Sequence, residues 1–169
     1  TALASELYFF PYEMYRGPKA ENKKVCVVCG WGVNGADGWE TAAALVRQYG
    51  IKASVISLVS PDELEGLAWE AAQDAITQGV NWIEVPLGDE SRMLEGLLAE
   101  ADIVVDAIFG RNFHEPLGPD FARVCETINR SNRIVVSIDV ASGVSVHTGI
   151  VNPYAVKAAF TFLLFAVHH

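Results

Sequence analysis

From Val25 onward, short apolar runs rich in Val and Ile alternate with stretches that have helical periodicity. Most of these runs are apolar throughout, which is typical of strands that are covered on both faces of a sheet. They predict six strands, at Val25–Cys29, Ala53–Val59, Trp82–Val85, Ile103–Ile108, Ile134–Ile138 and Phe160–Ala166.

Helices are predicted between the strands, at Trp39–Tyr49, Pro61–Gln78, Ser91–Ala99 and Pro119–Asn129. The second has a start signal, because Ser60 can serve as N-cap, Pro61 suits the first helical position and Glu63 completes a capping box. Gly50 and Gly79 follow helices as expected C-terminal stops.

This alternation predicts a doubly wound, Rossmann-like three-layer α/β sandwich with a mostly parallel sheet. Residues 1–24 have little periodicity and are expected to form an irregular lead-in, with residues 25–169 as a single domain. In a doubly wound sheet the first and fourth strands are neighbours, and ligands bind at the carboxyl ends where the strand order reverses. The loops after Cys29, Ile108 and Ile138 are therefore expected to face one crevice.

Composition narrows the class of protein. The chain is 51% hydrophobic and 20% charged, which excludes a disordered protein. A net charge of -9 without any basic run disfavours binding to nucleic acid or to an anionic membrane. No signal-peptide pattern or membrane-length apolar run is seen, so a cytoplasmic protein is expected, or an organellar one if the parent chain is longer and eukaryotic.

Three cysteines fit a reducing compartment better than a disulfide framework. Cys26 and Cys29 have the C-x-x-C spacing of redox pairs, but they lie in a predicted strand, where residues three apart point to opposite faces. We therefore interpret them as core residues.

The first candidate loop, Gly30–Gly38, reads GWGVNGADG between a strand and a helix. Its amides can cradle a phosphate, and Gly30–Gly35 satisfies the weak G-x-G-x-x-G pattern. However, Asp37 would repel a pyrophosphate unless it is turned away or paired with a cation. The alternative is a tight turn in which Asp37 caps the next helix. No Walker lysine follows, which excludes a P-loop.

Acids follow two predicted strands. Asp106 interrupts the apolar fourth strand, and Asp139 comes directly after the fifth, close to Ser142. A buried acid needs a partner, and hydrogen bonds from loop amides or a hard cation both remain open. Burial is expected to raise the pKa of one acid for proton transfer, while the other stays ionised beside a cation. Further along, Arg111, Asn112 and His114 are candidates for contacts with a phosphate or ribose, and His147 is expected to be solvated.

Three motifs in order, covering about Val25 to Ala166, resemble the NAD(P)H-hydrate epimerase family, the YjeF N-terminal domain. That family typically reads G-P-G-N-N-G-G-D-G, V-V-D-A-L-L-G-T-G and V-D-I-P-S-G-L-D-A-D-T-G. The corresponding segments here are GWGVNGADG at Gly30–Gly38, VVDAIFGRN at Val104–Asn112 and IDVASGVSVHTG at Ile138–Gly149.

The resemblance implies an isomerase that interconverts the R and S epimers of hydrated NADH and NADPH (NADHX and NADPHX). It also implies a functional partnership with an NAD(P)HX dehydratase, and homodimerisation. By position, Asn34, Asp106 and Ser142 would bind a potassium ion, and Asp139 would be the acid/base. The implied substrate-binding residues are Val33, Asn34, Gly35, Ala36, Asp37, Gly110, Arg111, Asn112, Phe113, His114, Glu115, Pro116 and Asp139.

Several positions depart from the family pattern, and two other hypotheses remain open, of which the dehydrogenase rests on the Gly30–Gly35 pattern. Trp31, Val33 and Ala36 alter the first loop, and Arg111-Asn112 replaces Thr-Gly after the fourth strand. A non-catalytic YjeF-like nucleotide-binding or protein-assembly module, as in the enhancer-of-decapping scaffold, would tolerate these changes. An ordinary NAD-dependent dehydrogenase would leave both strand-end aspartates unused.

Overall fold

The computed structural model describes residues 23–88 and 91–164. The predicted lead-in, residues 1–24, lies outside this part of the chain except for Lys23 and Lys24. Strands are found at all six predicted places, namely β1 (Lys24–Cys29), β2 (Lys52–Ser57), β3 (Asn81–Glu84), β4 (Ile103–Ala107), β5 (Ile134–Ile138) and β6 (Phe160–Phe162). The last predicted residues of the sixth strand fall outside the described residues.

The sheet is parallel throughout, with the strand order β3-β2-β1-β4-β5-β6. The predicted doubly wound α/β fold is therefore confirmed, including the neighbouring first and fourth strands. In the register of these strands, Asp106 of β4 lies beside Val28 of β1 and Ser137 of β5. The point at which the strand order reverses thus carries an acid.

The helices are α1 (Val33–Tyr49), α2 (Gly66–Thr77), α3 (Ser91–Ala99) and α4 (Pro119–Arg130), with short 3-10 turns at Pro61–Glu63 and Gly110–Asn112. Within the described ranges, none is long and apolar enough to cross a membrane. Each face of the sheet carries its own hydrophobic core. Cys26 belongs to one core and Cys29 to the other, and both thiols are free and buried. The interpretation of these cysteines as core residues is confirmed.

The first helix begins earlier than predicted, at Val33 instead of Trp39. The reason is close packing of its first turns on the sheet. A Cβ atom at Gly35 would lie 2.0 Å from the Gly30 carbonyl oxygen, and one at Gly38 would lie 2.6 Å from the Ala107 Cβ. The glycines in this segment therefore bring α1 against β1 and β4.

The second predicted helix is interrupted. Ser60 and Pro61 begin only a 3-10 turn, and the Ser60 hydroxyl makes no capping bond. Leu64 then adopts an extended conformation with its side chain buried, and α2 starts at Gly66. Burial of one apolar side chain thus overrides a local helix signal. Gly50 and Gly79 adopt the left-handed conformation expected of helix stops.

Candidate functional site

Consecutive backbone amides after β4 donate hydrogen bonds to predicted site residues from three segments of the chain. These residues are Asn34, Asp106, Asp139 and Ser142. Each N–H group of residues 108–111 donates to one of them, with the Asn34 amide oriented so that its nitrogen donates to the Ile138 carbonyl oxygen. The distances are 3.3 Å for Ile108 N to Asp106 Oδ1, 3.2 Å for Phe109 N to Ser142 Oγ, 3.1 Å for Gly110 N to the Asn34 amide oxygen, and 2.9 Å for Arg111 N to Asp139 Oδ2. The segments that follow β1, β4 and β5 therefore meet at the strand ends, as expected.

Gly110 is required at the centre of this arrangement. Its φ of +60° lies in the left-handed region, which favours glycine. A Cβ atom there would lie 2.8 Å from Asn34 Cγ and 3.2 Å from Asp139 Oδ2. Any side chain would separate the amide and the carboxylate that this turn holds together.

Asp106 is fully buried, with 0% of its surface exposed. Its Oδ2 accepts hydrogen bonds from the Ser142 amide at 2.9 Å and the Ser137 hydroxyl at 2.8 Å. Its Oδ1 accepts from the Ser142 hydroxyl at 2.6 Å. Burial raises the pKa of Asp106, and these hydrogen bonds only partly oppose the shift. No Lys or Arg in the described ranges forms an ion pair with it.

Asp139 is nearly as buried but has a charged partner. Arg111 Nε donates to its Oδ2 at 2.8 Å, and Arg111 Nη2 donates to its Oδ1. Burial by itself would raise the pKa of Asp139, but the hydrogen bonds and charge of Arg111 hold it below the ordinary value. The two acids therefore shift in opposite directions. Burial raises the pKa of Asp106, which has no access to solvent, whereas Arg111 lowers the pKa of Asp139, the acid/base implied by the resemblance.

Asp37 is a third acid at this site. It does not cap a helix, because α1 begins before it and Gly32 is the N-cap. Burial, followed by the nearby charges of Glu40 and Asp139, raises the pKa of Asp37 to about 6. Of the three acids, Asp37 therefore has a proton affinity suited to exchange near neutral pH.

An aromatic cleft of about 490 Å³ is lined by residues that follow β1 and β4, at the same strand ends. Trp31, from the turn before α1, packs on Phe121 of α4 with ring centroids 5.1 Å apart. Phe109 contacts both rings and also Phe113. Sequence reasoning missed Trp31, Phe109 and Phe121 as a cleft wall. The available signal was their position, because Trp31 and Phe109 each adjoin a loop glycine.

Five of the predicted substrate-binding residues line the cleft, namely Val33, Asn112, Phe113, His114 and Pro116. Gly35 and Ala36 are buried in the first turn of α1, where the Ala36 N–H donates to the Gly32 carbonyl oxygen. Arg111 and Asp139 are not cleft-lining, but Arg111 directly precedes Asn112 in the cleft wall.

Two loops are linked beside the cleft. The His114 ring stacks on His147 with centroids 5.3 Å apart, and the Thr148 hydroxyl donates to Glu115 Oε1 at 2.7 Å. His147 therefore has a side-chain neighbour in addition to its exposure to solvent. These contacts tie the loop after β5 to the loop after β4.

Comparison with known proteins identifies the family of this chain. The profile of the family described as "YjeF-related protein N-terminus" matches residues 3–169. The chain belongs to this family. The resemblance drawn from the three motifs is thus confirmed.

Similar proteins include two that carry enzyme names. The bifunctional NAD(P)H-hydrate repair enzyme Nnr of Thermofilum pendens is 40% identical over 138 residues, which cover 80% of this chain and 25% of that protein. The NAD(P)H-hydrate epimerase of Limosilactobacillus fermentum is 31% identical over 140 residues, which cover 82% of this chain and 62% of the relative. The chain therefore spans from a quarter to less than two thirds of the length of these relatives.

A solved structure supports the fold. The crystal structure of yeast YNL200c superimposes with a TM-score of 0.71 at 24% identity, covering 95% of this chain and 68% of the yeast chain. The arrangement of β-strands and helices in this YjeF N-terminal domain is thus shared with an experimental structure.

A second cavity of this YjeF N-terminal domain, of about 570 Å³, is larger than the aromatic cleft. It lies at the amino ends of β1, β2 and β3, where Lys24, Lys52 and Trp82 line it. None of the predicted site residues reaches it. The aromatic cleft is the better candidate for ligand binding, because it adjoins the strand ends that carry the acids.

Proposed function

We propose that this YjeF N-terminal domain is an NAD(P)H-hydrate epimerase, which interconverts the R and S epimers of NADHX and NADPHX. The observation that carries the proposal is the convergence of Asn34, Asp106, Asp139 and Ser142 on consecutive amides at the strand-order reversal. The enzyme names of relatives at 31% and 40% identity support it.

The aromatic cleft suits the ring systems of such a substrate. Its aromatic wall offers apolar ring faces to a base or a nicotinamide ring. Backbone amides at the start of α1 are available to the phosphates, whereas the amides of Gly110 and Arg111 already donate to Asn34 and Asp139. The nucleotide is proposed to lie along Val33–Asp37 and Gly110–Pro116, with its hydrated ring directed toward Asp139.

The reaction needs a proton on the hydroxyl oxygen that is bonded to the hydrated ring carbon. Protonation of the hydroxyl lets it leave as water, assisted by the neighbouring ring nitrogen, and water returns to the opposite face while its proton goes back to a carboxylate. Asp139 is proposed as this acid/base, and burial and nearby charges raise the pKa of the neighbouring acid Asp37 to about 6. A positioned carboxyl group typically contributes on the order of 10²–10⁴-fold to the rate.

Asn34, Asp106 and Ser142 are proposed to hold a potassium ion. They supply only oxygen atoms, which hard cations prefer, and Asp106 is a fully buried carboxylate without an ion-pair partner among the described residues. A bound cation would balance this buried charge and fix the loops that carry Asp139. We expect the melting temperature to rise in potassium relative to sodium or tetramethylammonium, and an identical melting temperature in all three would contradict the proposal.

The decisive assay of function uses a mixture of the R and S hydrates together with an S-specific dehydratase. The wild-type protein should accelerate disappearance of the R form, and Asp139→Asn should abolish the acceleration. Glu95→Gln removes an exposed acid of α3 that does not line the cleft, and it should leave the acceleration unchanged. A folded wild-type protein without acceleration would disprove epimerase activity.

The alternative is a non-catalytic module that binds nucleotides or assembles with proteins. The Arg111–Asp139 ion pair favours it, because both oxygens of the proposed acid/base are engaged. Nucleotide binding without acceleration of epimerisation would support this function instead.

Partnership with an NAD(P)HX dehydratase, homodimerisation and a cytoplasmic location are further parts of the proposal. The buried free thiols of Cys26, Cys29 and Cys125 are compatible with a reducing compartment. Light scattering at two protein concentrations should give the mass of a dimer, and a monomer mass at both would contradict it.

A further inference from the structure

Arg111 occupies the carboxylate that the proposed reaction requires. Its backbone N–H and Nε both donate to Asp139 Oδ2, at 2.9 and 2.8 Å, and its Nη2 donates to Oδ1. While these bonds persist, neither oxygen of Asp139 is free to take a proton from a ligand. The structure therefore shows Asp139 in a blocked arrangement.

The guanidinium is placed so that it can leave. The Arg111 side chain is 47% exposed, whereas that of Asp139 is only 8% exposed. Apart from Asp139, its side chain donates to the Leu164 carbonyl oxygen at 2.6 Å. Arg111 also lies in the 3-10 turn Gly110–Asn112, whose last residue lines the cleft.

A phosphate group is a direct competitor for this guanidinium. Arginine binds carboxylates and phosphates with the same two-pronged geometry, so one ion pair can replace the other without loss of hydrogen bonds. No Lys or Arg lines the cleft in the described part of the chain, and Arg111 directly precedes the cleft-lining Asn112.

We propose that Arg111 exchanges Asp139 for a phosphate group of the bound nucleotide, and that nucleotide binding thereby frees the Asp139 carboxylate. This inference rests on the proposed binding of a nucleotide at this site. It makes Arg111 a positioning residue, because it acts on the reaction through Asp139. The ion pair keeps Asp139 ionised and occupied until the substrate arrives.

Loss of the Arg111 ion pair should raise the proton affinity of Asp139. Once Arg111 has left, Asp139 still interacts with the like charge of Asp37 on α1. Burial and this like charge then raise the proton affinity of Asp139, so binding of the nucleotide should be accompanied by proton uptake. Uptake by Asp37 is distinguished from uptake by Asp139 through the Asp139→Asn variant.

Titration calorimetry with NAD⁺ tests the exchange, because the pyrophosphate diester of NAD⁺ does not itself titrate near neutral pH. Arg111→Gln removes the phosphate contact and should weaken binding on the order of 10-fold. Asp139→Asn removes the competitor and should tighten binding. Arg130→Gln makes the same charge change on the exposed face of α4, where Arg130 pairs with Glu126, and should have no effect.

Measurement in buffers of different ionisation enthalpy should show proton uptake for the wild type and none for Asp139→Asn. Opposite effects of the two variants on affinity, with equal melting temperatures, would establish the exchange. The exchange is overturned if both variants weaken binding alike, if Arg111→Gln binds as tightly as the wild type, or if NAD⁺ does not bind.

Arg111→Lys, which keeps the charge, replaces Arg111→Gln if that variant does not fold. If the protein does not accelerate epimerisation but the two variants still change the affinity for NAD⁺ in opposite directions, the proposed activity is wrong and the proposed exchange stands.

Discussion

Ser142 holds both oxygens of the fully buried Asp106, its amide donating to Oδ2 at 2.9 Å and its hydroxyl to Oδ1 at 2.6 Å. The same hydroxyl accepts the Phe109 amide at 3.2 Å. One small side chain therefore joins the ends of β4 and β5 and satisfies a carboxylate that has no access to water.

The first prediction concerns this serine. Ser142→Ala removes a donor to a buried carboxylate and an acceptor from a buried amide, so the free energy of unfolding should fall by about 1–3 kcal/mol. Chemical denaturation measures the change. Ser131→Ala, which removes a hydroxyl bonded to the Ile128 carbonyl oxygen at the end of α4, is a control with a smaller expected loss. Equal losses would contradict the special role of Ser142.

The second prediction concerns pH. The pKa of Asp37 is raised from 3.8 to about 6 by burial and by the charges of Glu40 and Asp139, so the folded protein binds this proton more tightly than the unfolded chain. Its ionised form therefore destabilises the fold, and the effect grows as pH rises from about 4 to about 6. Asp37→Asn should raise the free energy of unfolding at pH 7 by about 1 kcal/mol, a value reduced for partial solvent screening.

At pH 4 the same substitution should have little effect, because Asp37 is then largely protonated in the folded protein. Melting curves at both pH values provide the measurement. Glu95→Gln makes the same charge change at an exposed position of α3 and should not show this pH dependence. A stabilisation by Asp37→Asn that is equal at pH 4 and pH 7 would count against the assignment.

The third prediction concerns the glycines of α1. Gly35→Ala places a Cβ atom 2.0 Å from the Gly30 carbonyl oxygen, which forces backbone to move and should cost about 3 kcal/mol or more of unfolding free energy. Gly96→Ala in α3 meets no heavy atom within 4 Å and should stabilise the protein by about 0.5–1 kcal/mol. If Gly35→Ala were neutral, α1 could not pack as closely as described.

The fourth prediction concerns the cleft wall. Trp31 and Phe121 have ring centroids 5.1 Å apart, so a double-mutant cycle with alanine should give a coupling energy of about 0.5–1.5 kcal/mol. The cycle of Trp31 with Phe160, which lies on the last strand, should give no coupling beyond error. Absence of coupling between Trp31 and Phe121 would mean that the aromatic wall does not form in solution.

Much of the fold was predictable from local sequence. The central strands β1, β4 and β5 are apolar runs rich in Val and Ile, so their position and their burial on both faces follow from the local sequence within a few residues. The strand order follows from right-handed crossovers. Asp106 and Asp139 were recognisable as site residues because acids are costly where the neighbouring residues are apolar.

The helices that differ from the sequence prediction do so because of tertiary contacts. The start of α1 depends on how closely Gly35 approaches Gly30, and the break before α2 depends on burial of Leu64. Neither contact can be inferred from the local helix propensity of the sequence. The aromatic wall likewise combines residues from three segments that no spacing in the sequence relates.

The sequence by itself therefore determined a parallel α/β sheet with polar residues at the ends of its central strands, because alternation and apolarity are properties of neighbouring residues. Tertiary structure decided the chemical state of those residues. Arg111 and Asp139 are 28 positions apart, and their pairing lowers the pKa of one acid while complete burial raises that of Asp106. Both shifts depend on distances through space and on exclusion of water, which exist only once the chain has folded.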